Sequence, residues 1–453
     1  MNLLPTDRPQ PSNTQTAHTS FFTRLRTAEF FKSKTNRYRF TIFCDFLLIV
    51  IILCQAPTKT TFKLISPLPA TFGPLQPLTQ TKSDHEVFGF APYWNLNKLD
   101  NIDFNVLTTL AYFGVEIDEN GDMITDDPGY ISFHSDKATA LFKKAHSNGT
   151  RVLLTVTQMQ NDPILVLMDN PSAQENMINQ TTAEVKKRGI DGVNIDFEFT
   201  GNPGQDYRDK FSTFVSRLTK RMHDEIPGSQ VSVSVYASAV KDPKIYDIAA
   251  LSQNDLKIFM MAYDFAVAGS DNAIPTAPLY GHKERKYWYD VSTAVDDFLR
   301  RMPARKLILG VPLYGYNYLV YKPEIKAETR PWYSWRGSPK AETYAKVQQE
   351  IRPDMDGIDS YRTGWDDLGK VSWIAYHVVA TDTWRMIFLD DAKSLQYKYD
   401  FAKEKNLAGV GMWALGNDVG TTELWSLLRQ KFGAKLADNR VIDRSINSDS
   451  YEN

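Results

Sequence analysis

The sequence from residue 85 to 433 predicts an α/β fold, a (β/α)8 TIM barrel, and three observations lead to it. Eight short apolar runs recur along this stretch. Amphipathic segments separate the runs, which is the alternation of a parallel sheet covered by helices. Helix-end signals agree with this count, since Ser172 and Glu175 have the spacing of a capping box and Gly189 follows as a stop.

The eight apolar runs are the predicted barrel strands. They are EVFGFAPY from Glu86, VLTTLAYF from Val106, TRVLLTVT from Thr150, DGVNIDFEF from Asp191, SQVSVSVYA from Ser229, KIFMMAYD from Lys257, KLILGVPLYG from Lys306 and GVGMWAL from Gly409. After the fourth strand, apolar residues recur at helical spacing and predict a helix face packed on the sheet. These are Tyr207, Phe211, Phe214, Leu218 and Met222.

The segment after strand seven is too long for a βα loop and contains the strand-like run VSWIAYHVV. We therefore expect a small α+β insertion at about residues 317–390, walling one side of the active-site face. Its aromatic residues Trp332, Trp335 and Trp365 either line a ligand cleft or pack within the insertion.

The N-terminal region predicts a membrane anchor. A basic tail, residues 1–39, precedes the apolar run 40–56, and the positive charge favours a cytoplasmic tail with a transmembrane signal anchor. Residues 57–84 form a Pro/Thr-rich linker and 434–453 a polar tail. There are three alternatives for the apolar run. It could be a cleaved signal peptide, which would give a secreted protein, or a buried helix, or it could carry a lipid on Cys54.

Charge and cysteine content exclude several kinds of partner. The formal net charge is -2, so no basic field favours nucleic acid. Cys44 and Cys54 both lie in the N-terminal apolar segment, which leaves the barrel without a disulfide or a cysteine zinc site. Seven histidines are scattered without a HExxH pattern. We expect no metal, no cofactor, no nucleic-acid partner and a monomer.

Strand four carries the polar residues that a fold alone does not need. Side chains alternate along a strand, so Asn194, Asp196 and Glu198 share one face while the apolar residues between them face the helices. Unpaired charge inside a barrel is destabilising, and active sites of such barrels lie at the carboxyl ends of the strands. The alternatives are a satisfied polar cluster or a Ca²⁺ or Mg²⁺ site.

Two carboxyls on one strand face are close enough to share a proton, which suits a general acid. Glu198, nearer the strand end, is the better proton donor to a glycosidic oxygen, with Asp196 as its buried modulator. A glycosidase with a conventional mechanism needs a second carboxylate across the sugar. Asp264, at the end of strand six, is the only obvious candidate.

The run DGVNIDFE resembles the DGxDxDxE signature of glycoside hydrolase family 18, the chitinase family. The similarity extends from the first strand to the final helix, and three further segments are similar to elements of the family in the same order. They are MAYD at residues 261–264, LGVPLYG at 309–315 and GVGMWALGND from Gly409.

The resemblance implies a mechanism in which the substrate's own 2-acetamido carbonyl is the nucleophile. Glu198 is then the acid and later the base, Asp196 orients the acetamido group, and Tyr263 hydrogen-bonds its oxygen. The implied substrate-binding residues are Asn194, Asp264, Met261, Trp413 and Tyr314, with Trp413 stacking on the sugar as the floor of the subsite. For Tyr263 and Trp413 the alternative is core packing.

Two segments depart from the family pattern, and one of these departures bears on the substrate. Strand three has TVTQ where the family often has SxGG, and Asn194 replaces the middle aspartate of the signature. Asparagine at this position resembles the spore-germination and cortex-lytic branch, which acts on peptidoglycan, although no LysM module accompanies it here.

The resemblance thus implies a retaining glycosidase for β-linked N-acetylhexosamine glycans, either chitooligosaccharide or peptidoglycan. Its partner is a polysaccharide containing N-acetylglucosamine, met by a membrane-anchored domain outside the cytoplasm. The alternatives are a catalytically silent chitinase-like lectin at the cell surface, which would have lost the acid, and a surface scaffold in which the barrel is a spacer.

Overall fold

The structure, a computed structural model, describes residues 83–433. Eight parallel strands close into a barrel in the order β1-β13-β7-β6-β5-β4-β3-β2, so their carboxyl ends meet at one mouth. The barrel strands are β1 Glu86–Pro92, β2 Thr109–Glu116, β3 Arg151–Gln158, β4 Gly192–Phe197, β5 Gln230–Tyr236, β6 Lys257–Met261, β7 Leu307–Pro312 and β13 Gly409–Trp413. The predicted barrel of parallel strands with covering helices is confirmed.

Ten α-helices are found among the described residues. They are α1 Pro128–Phe133, α2 Asp136–Ser147, α3 Asn161–Asp169, α4 Pro171–Arg188, α5 Gln205–Glu225, α6 Ile248–Leu251, α7 Val291–Leu299, α8 Tyr344–Glu350, α9 Ala392–Glu404 and α10 Glu423–Phe432. The second predicted strand starts too early, because the N–H groups of Val106 and Leu107 bond to the Asp103 carbonyl in a turn.

The capping box predicted at Ser172 is wrong. Helix α4 begins two residues earlier, where the side chain of Asn170 accepts hydrogen bonds from the N–H groups of Ser172 and Ala173 at 3.1 and 3.2 Å. Pro171 takes the first helical position, for which its fixed φ is suited. The stop at Gly189 is confirmed, with φ of 61° in the left-handed region.

The barrel interior is filled by aromatic side chains. Phe88, Phe90 and Phe259 are buried there, with ring centroids 4.8 to 5.2 Å apart. Two glycines make room for Phe259, since a Cβ at Gly310 or Gly411 would lie 2.7 or 2.3 Å from its ring. The centre of the barrel is therefore a packed core, and a ligand can bind only at the mouth.

The outer core lies between the sheet and the helices. Phe197 of β4 stacks on Phe214 of α5 with a centroid distance of 6.2 Å. Four of the five residues predicted for this helix face are fully buried, namely Phe211, Phe214, Leu218 and Met222. Tyr207 instead lies half-buried at the edge, where its hydroxyl donates to Asp169 at 2.8 Å.

Between β7 and β13 the chain forms a second sheet with antiparallel pairing, in the order β10-β11-β12-β8-β9. It begins at Tyr314, two residues after β7, which keeps its first residues at the barrel mouth. Its strands are β8 Tyr314–Val320, β9 Lys340–Thr343, β10 Ile358–Asp366, β11 Val371–Val378 and β12 Thr383–Leu389.

The tryptophans of this insertion differ in their surroundings. Trp365 lies beside Tyr397 of α9, with the ammonium of Lys393 3.8 Å from its ring centroid, which is local packing. Trp335 is 61% exposed and lies parallel to Tyr333. Trp332 is half-buried.

A buried ion pair joins β12 to α9. Lys398 and Asp390 are both buried and bond to each other and to Ser394. We expect Asp390→Ala to lower the free energy of unfolding by about 3–5 kcal/mol, because it leaves a buried ammonium without its counter-charge. Urea denaturation followed by fluorescence measures this, and the double variant Asp390→Ala/Lys398→Met should be more stable than Asp390→Ala alone. Equal stability of the two variants would contradict the explanation.

The predicted basic tail, anchor and polar tail lie outside the described residues, as does nearly all of the predicted linker. Within residues 83–433 no helix has the length and apolar character needed to cross a membrane.

Candidate active site

Strand β4 directs its polar residues to the barrel interior, as the alternation predicted. Asn194 and Asp196 are buried, and Glu198 is half-buried directly after the strand. The backbone of Glu198 is still fixed by the neighbouring strand, since its N–H donates to the carbonyl of Gln158 at 3.0 Å. The three side chains therefore rise in a line from the core to the mouth.

Asn194, at the bottom of this line, is held by two serines of β5. The hydroxyl of Ser232 donates to its Oδ1 at 2.8 Å, and its Nδ2 donates to the hydroxyl of Ser234 at 3.0 Å. Asn194 is fully buried and lies below Asp196, so its predicted role in substrate binding remains a prediction. In the structure Asn194 is a neutral, hydrogen-bonded side chain that lies directly beneath the two carboxyl groups.

Asp196 is buried in an environment that disfavours its charge. Burial raises the pKa of Asp196 well above its usual value, the nearby charge of Glu198 raises it further, and a hydrogen bond with Ser234 opposes both. Its Oδ1 atom is buried and has no hydrogen-bond partner within the described part of the chain. A buried carboxyl oxygen without a donor is suited to receive one from a ligand.

Several neighbouring groups shift the pKa of Glu198 in opposite directions. Burial raises its pKa, a hydrogen bond from Tyr236 lowers it, the charge of Asp264 raises it and that of Lys244 lowers it, with a raised pKa as the net result. The Tyr236 hydroxyl donates to Oε2 of Glu198 at 2.8 Å. A raised pKa keeps a proton available at higher pH, which a general acid requires.

Asp264 follows β6 in a left-handed conformation, with φ of 58°. Its Oδ1 accepts hydrogen bonds from the hydroxyls of Tyr314 and Tyr316, at 2.5 and 3.0 Å. Part of Asp264 is exposed to solvent in the cleft. Desolvation by the surrounding protein raises the pKa of its carboxyl, and the hydrogen bonds from the two tyrosines lower it. The structure thus brings Asp264 and Tyr314 together, as the sequence analysis grouped them.

Tyr263 and Met261 flank the carboxyl cluster. Tyr263 is half-buried, with its ring centroid 6.2 Å from that of Tyr314. Burial raises the pKa of Tyr263 well above 10, and the negative charges of Asp196, Asp264 and Glu198 raise it further. Its hydroxyl therefore remains a hydrogen-bond donor at any working pH. Met261 is 8% exposed and packs in the interior aromatic cluster.

An aromatic group forms another side of the mouth. Trp413, at the end of β13, lies 5.5 Å from Phe90 and 4.7 Å from Phe113 between ring centroids. Trp94 is 52% exposed and its centroid is 6.4 Å from that of Trp413. Trp413 thus packs on the core with part of its surface open, and both indoles offer apolar area to a ligand.

Several residues of this site were not found from the sequence. Ser232, Ser234 and Tyr236 alternate along β5, and that period of two next to β4 was the signal that could have found them. Tyr316 is two residues after Tyr314 on one strand face. Lys244 lies in a loop, where no periodicity points to the site.

No group of three or more histidine, cysteine or acidic side chains in residues 83–433 is arranged to hold a metal ion. The cation site considered for strand four thus has no ligand set in this part of the chain. The expectation of a metal-free reaction stays a prediction.

Comparison with solved structures gives the same barrel. The Group IV chitinase of Ostrinia furnacalis in complex with allosamidin aligns with a TM-score of 0.64 at 22% identity, over 76% of this chain and 98% of the other. The spore cortex-lytic enzyme of Bacillus megaterium aligns with a TM-score of 0.60 at 17% identity, over 78% of this chain and 75% of the other. Both likenesses concern the fold.

Sequence comparison extends this to the family. The di-N-acetylchitobiase of Rattus norvegicus is 28% identical over 306 residues, which are 63% of this chain and 78% of the relative. The cortical fragment-lytic enzyme of Bacillus subtilis is 22% identical over 336 residues, 72% of this chain and 68% of the relative. The family described as Glycosyl hydrolases family 18 matches residues 76–418. The chain belongs to this family and is a glycosyl hydrolase.

Proposed function

We propose that this glycosidase hydrolyses β-linked N-acetylhexosamine glycans, chitooligosaccharide or peptidoglycan, by substrate-assisted catalysis with retention of configuration. The observation that carries the proposal is the pair of carboxyl groups at the end of β4, Asp196 and Glu198. Glu198 has a raised pKa at the mouth, and the buried Asp196 beside it has a carboxyl oxygen without a hydrogen-bond donor. An acetamido N–H is a donor of the required kind.

In the proposed reaction Glu198 gives its proton to the glycosidic oxygen while the acetamido carbonyl oxygen of the same sugar attacks C1. The N–H of this group donates to Asp196, and the Tyr263 hydroxyl donates to the attacking oxygen. Water then opens the oxazolinium ion at C1, and Glu198 takes up the proton of that water. Two inversions at C1 give retention.

The surroundings of Asp264 support the substrate over an enzyme carboxylate as the nucleophile. Its Oδ1 accepts two tyrosine hydrogen bonds, which reduce the electron density that a nucleophile needs. In the proposal Asp264 therefore lines the reacting subsite and binds substrate hydroxyls, with Tyr314 fixing its orientation. Trp413 provides the apolar floor on which the sugar stacks, as aromatic faces do with the C–H groups of a pyranose.

The names of the relatives support a choice of two substrates. One relative is named a chitobiase and another a cortical fragment-lytic enzyme, and this chain covers most of both. Incubation with chitooligosaccharides and with purified peptidoglycan, followed by mass spectrometry of the products, discriminates between them. Products from neither substrate, with a folded protein and intact ligand binding, would favour the lectin alternative.

The acid itself argues against a silent lectin. A binding module has no use for a carboxyl of raised pKa held at 2.8 Å by a tyrosine hydroxyl. Because buried acids without compensation are destabilising, their presence at a cleft favours catalysis.

We also propose that the barrel lies outside the cytoplasm, tethered through residues 40–56. The basic residues before the apolar run support a cytoplasmic N-terminus. Protease added to intact cells should digest the barrel and spare residues 1–39, as detected with tags at both ends. A cytoplasmic protein as internal control must stay intact, and a protected barrel would overturn the topology. Release of the barrel into the medium without protease would indicate a cleaved signal.

A further inference from the structure

The carboxyl group of Glu198 has two oxygens in different surroundings. Oε2 accepts the hydroxyl hydrogen of Tyr236 at 2.8 Å. Tyr236 ends β5, and the register that pairs Ile195 with Val233 puts Glu198 opposite Tyr236 three residues further along both strands. The contact is therefore set by strand register, which a one-residue slip would abolish.

A cation lies behind this tyrosine. The Nζ atom of Lys244 is 4.9 Å from the centroid of the Tyr236 ring, and 3.5 Å from Asp242. Lys244 has φ of 51°, and its carbonyl accepts a hydrogen bond from Arg208 at 3.2 Å, so the loop that carries it is held in place. Its charge is close enough to Glu198 to favour the carboxylate form.

We propose that Tyr236 is a positioning residue for the proposed reaction, reserving Oε1 of Glu198 as the oxygen that carries and transfers the proton, with Lys244 supporting the carboxylate left behind. The carbonyl oxygen of a neutral carboxyl is a better acceptor than its hydroxyl oxygen, so a Tyr236 hydroxyl that donates to Oε2 favours the form with the proton on Oε1. Without Tyr236 the proton is free to occupy either oxygen, and the carboxyl is free to rotate.

The proton balance of this arrangement is complete. Oε1 gives its proton to the glycosidic oxygen, which also receives the electron pair of the broken C1–O bond. The negative charge that remains on Glu198 is stabilised by the Tyr236 hydroxyl and by Lys244. When water attacks C1, its proton goes to Oε1 and restores the starting state.

Other groups act on Glu198 as well and must be considered in any pH profile. The charge of Glu198 raises the pKa of Asp196 near the end of β4, and the charge of Asp264 after β6 raises the pKa of Glu198. The charged or titratable groups that face the carboxyl directly or through one of its neighbours are Asp196, Tyr236, Asp242, Lys244, Tyr246, Tyr263, Asp264, Tyr314 and Tyr316. Of these, Tyr236 is the one whose hydroxyl bonds to Glu198 in the described part of the chain.

The test is Tyr236→Phe, which removes only the hydroxyl. The kcat should fall about 10- to 100-fold, the worth of one hydrogen bond to a charged group, with KM changed much less. The hydrogen bond favours the carboxylate, so its loss raises the pKa of Glu198. The acid works when protonated, so the alkaline limb of the pH profile should move to higher pH, by about one unit.

Matched variants separate positioning from a loss of stability. Tyr246→Phe removes a buried tyrosine hydroxyl that donates to the Phe197 carbonyl at 2.5 Å, so it should lower stability without moving the alkaline limb. Lys244→Gln should move the limb in the same direction as Tyr236→Phe but less, while Lys244→Arg keeps the charge and should not. If the alkaline limb of the pH profile lay at the same pH in Tyr236→Phe as in the parent, the proposal would be overturned.

A measurement without turnover keeps this inference distinct from the proposed function. Titration of the Glu198 carboxyl by ¹³C NMR, with Glu198→Gln to assign the signal, should give a higher pKa in Tyr236→Phe than in the parent. If the parent cleaves neither chitooligosaccharide nor peptidoglycan, the proposed function fails, yet the NMR shift still decides the Tyr236 contact. An unchanged carboxyl pKa defeats the inference even in an active enzyme.

Discussion

Glu198→Gln should lower kcat by about 10²- to 10⁴-fold or more, because the amide keeps the shape of the side chain and has no transferable proton. Fold and ligand binding should be preserved, since the amide oxygen can still accept the Tyr236 hydroxyl that now bonds to Oε2. Steady-state kinetics on whichever glycan the parent cleaves measures the loss, and thermal unfolding checks the fold.

A matched variant controls for the change of a carboxylate to an amide. Glu175→Gln alters a half-buried residue of α4 that pairs with Arg217 and Arg221 of α5 in the outer helical layer and contacts none of the site residues named above, so it should leave kcat near that of the parent. A Glu198→Gln enzyme with near-normal turnover would refute the assignment of the acid. Restored cleavage of a substrate with a highly acidic leaving group would instead support it, because such a group needs no proton.

The strand that carries the acid was predictable because one rule decides it. A period of two in Asn194, Asp196 and Glu198 puts polar groups where a barrel interior should be apolar, and that conflict has few explanations other than function. The barrel itself followed from eight apolar runs in regular alternation with amphipathic segments. Each of these signals lies within a short segment of sequence, and the structure forms a barrel strand from every one of the eight runs.

Other parts of the site depend on contacts that no single segment shows. Tyr236 contacts Glu198 only because β5 pairs with β4 in one register. Lys244 comes from a loop, in which its carbonyl accepts a hydrogen bond from Arg208 on the neighbouring helix α5. The predicted start of helix α4 is two residues too late because Asn170, followed by Pro171, caps the helix in place of Ser172. Tertiary geometry decides each of these.

The reaction should require an N-acetyl group on the sugar that is cleaved. Replacing this group by a free amine removes the carbonyl oxygen that attacks C1, so binding can survive while the rate collapses. Fully acetylated and fully deacetylated oligosaccharides of equal length are the matched pair of substrates, assayed with the parent enzyme by product mass spectrometry. Efficient cleavage of the deacetylated substrate would contradict substrate assistance.

A thiazoline that imitates the oxazolinium ion should inhibit, since it offers the bicyclic shape of the intermediate to residues arranged for the transition state. Tyr263→Phe should weaken both inhibition and turnover by about 1–3 kcal/mol, the range for a buried hydrogen bond to a partly charged group. The hydroxyl of Tyr263 stays protonated at working pH because burial raises its pKa far above neutrality.

Mass-spectrometric capture of a glycosyl ester on Asp264 or Asp196 would instead identify an ordinary carboxylate nucleophile. The hydrogen bonds that Oδ1 of Asp264 accepts from Tyr314 and Tyr316 lower the nucleophilicity of this carboxylate, so Tyr314→Phe should accelerate the reaction if the ester forms on Asp264. Under substrate assistance the same variant should slow it, because Asp264 loses the contact that orients it toward the sugar.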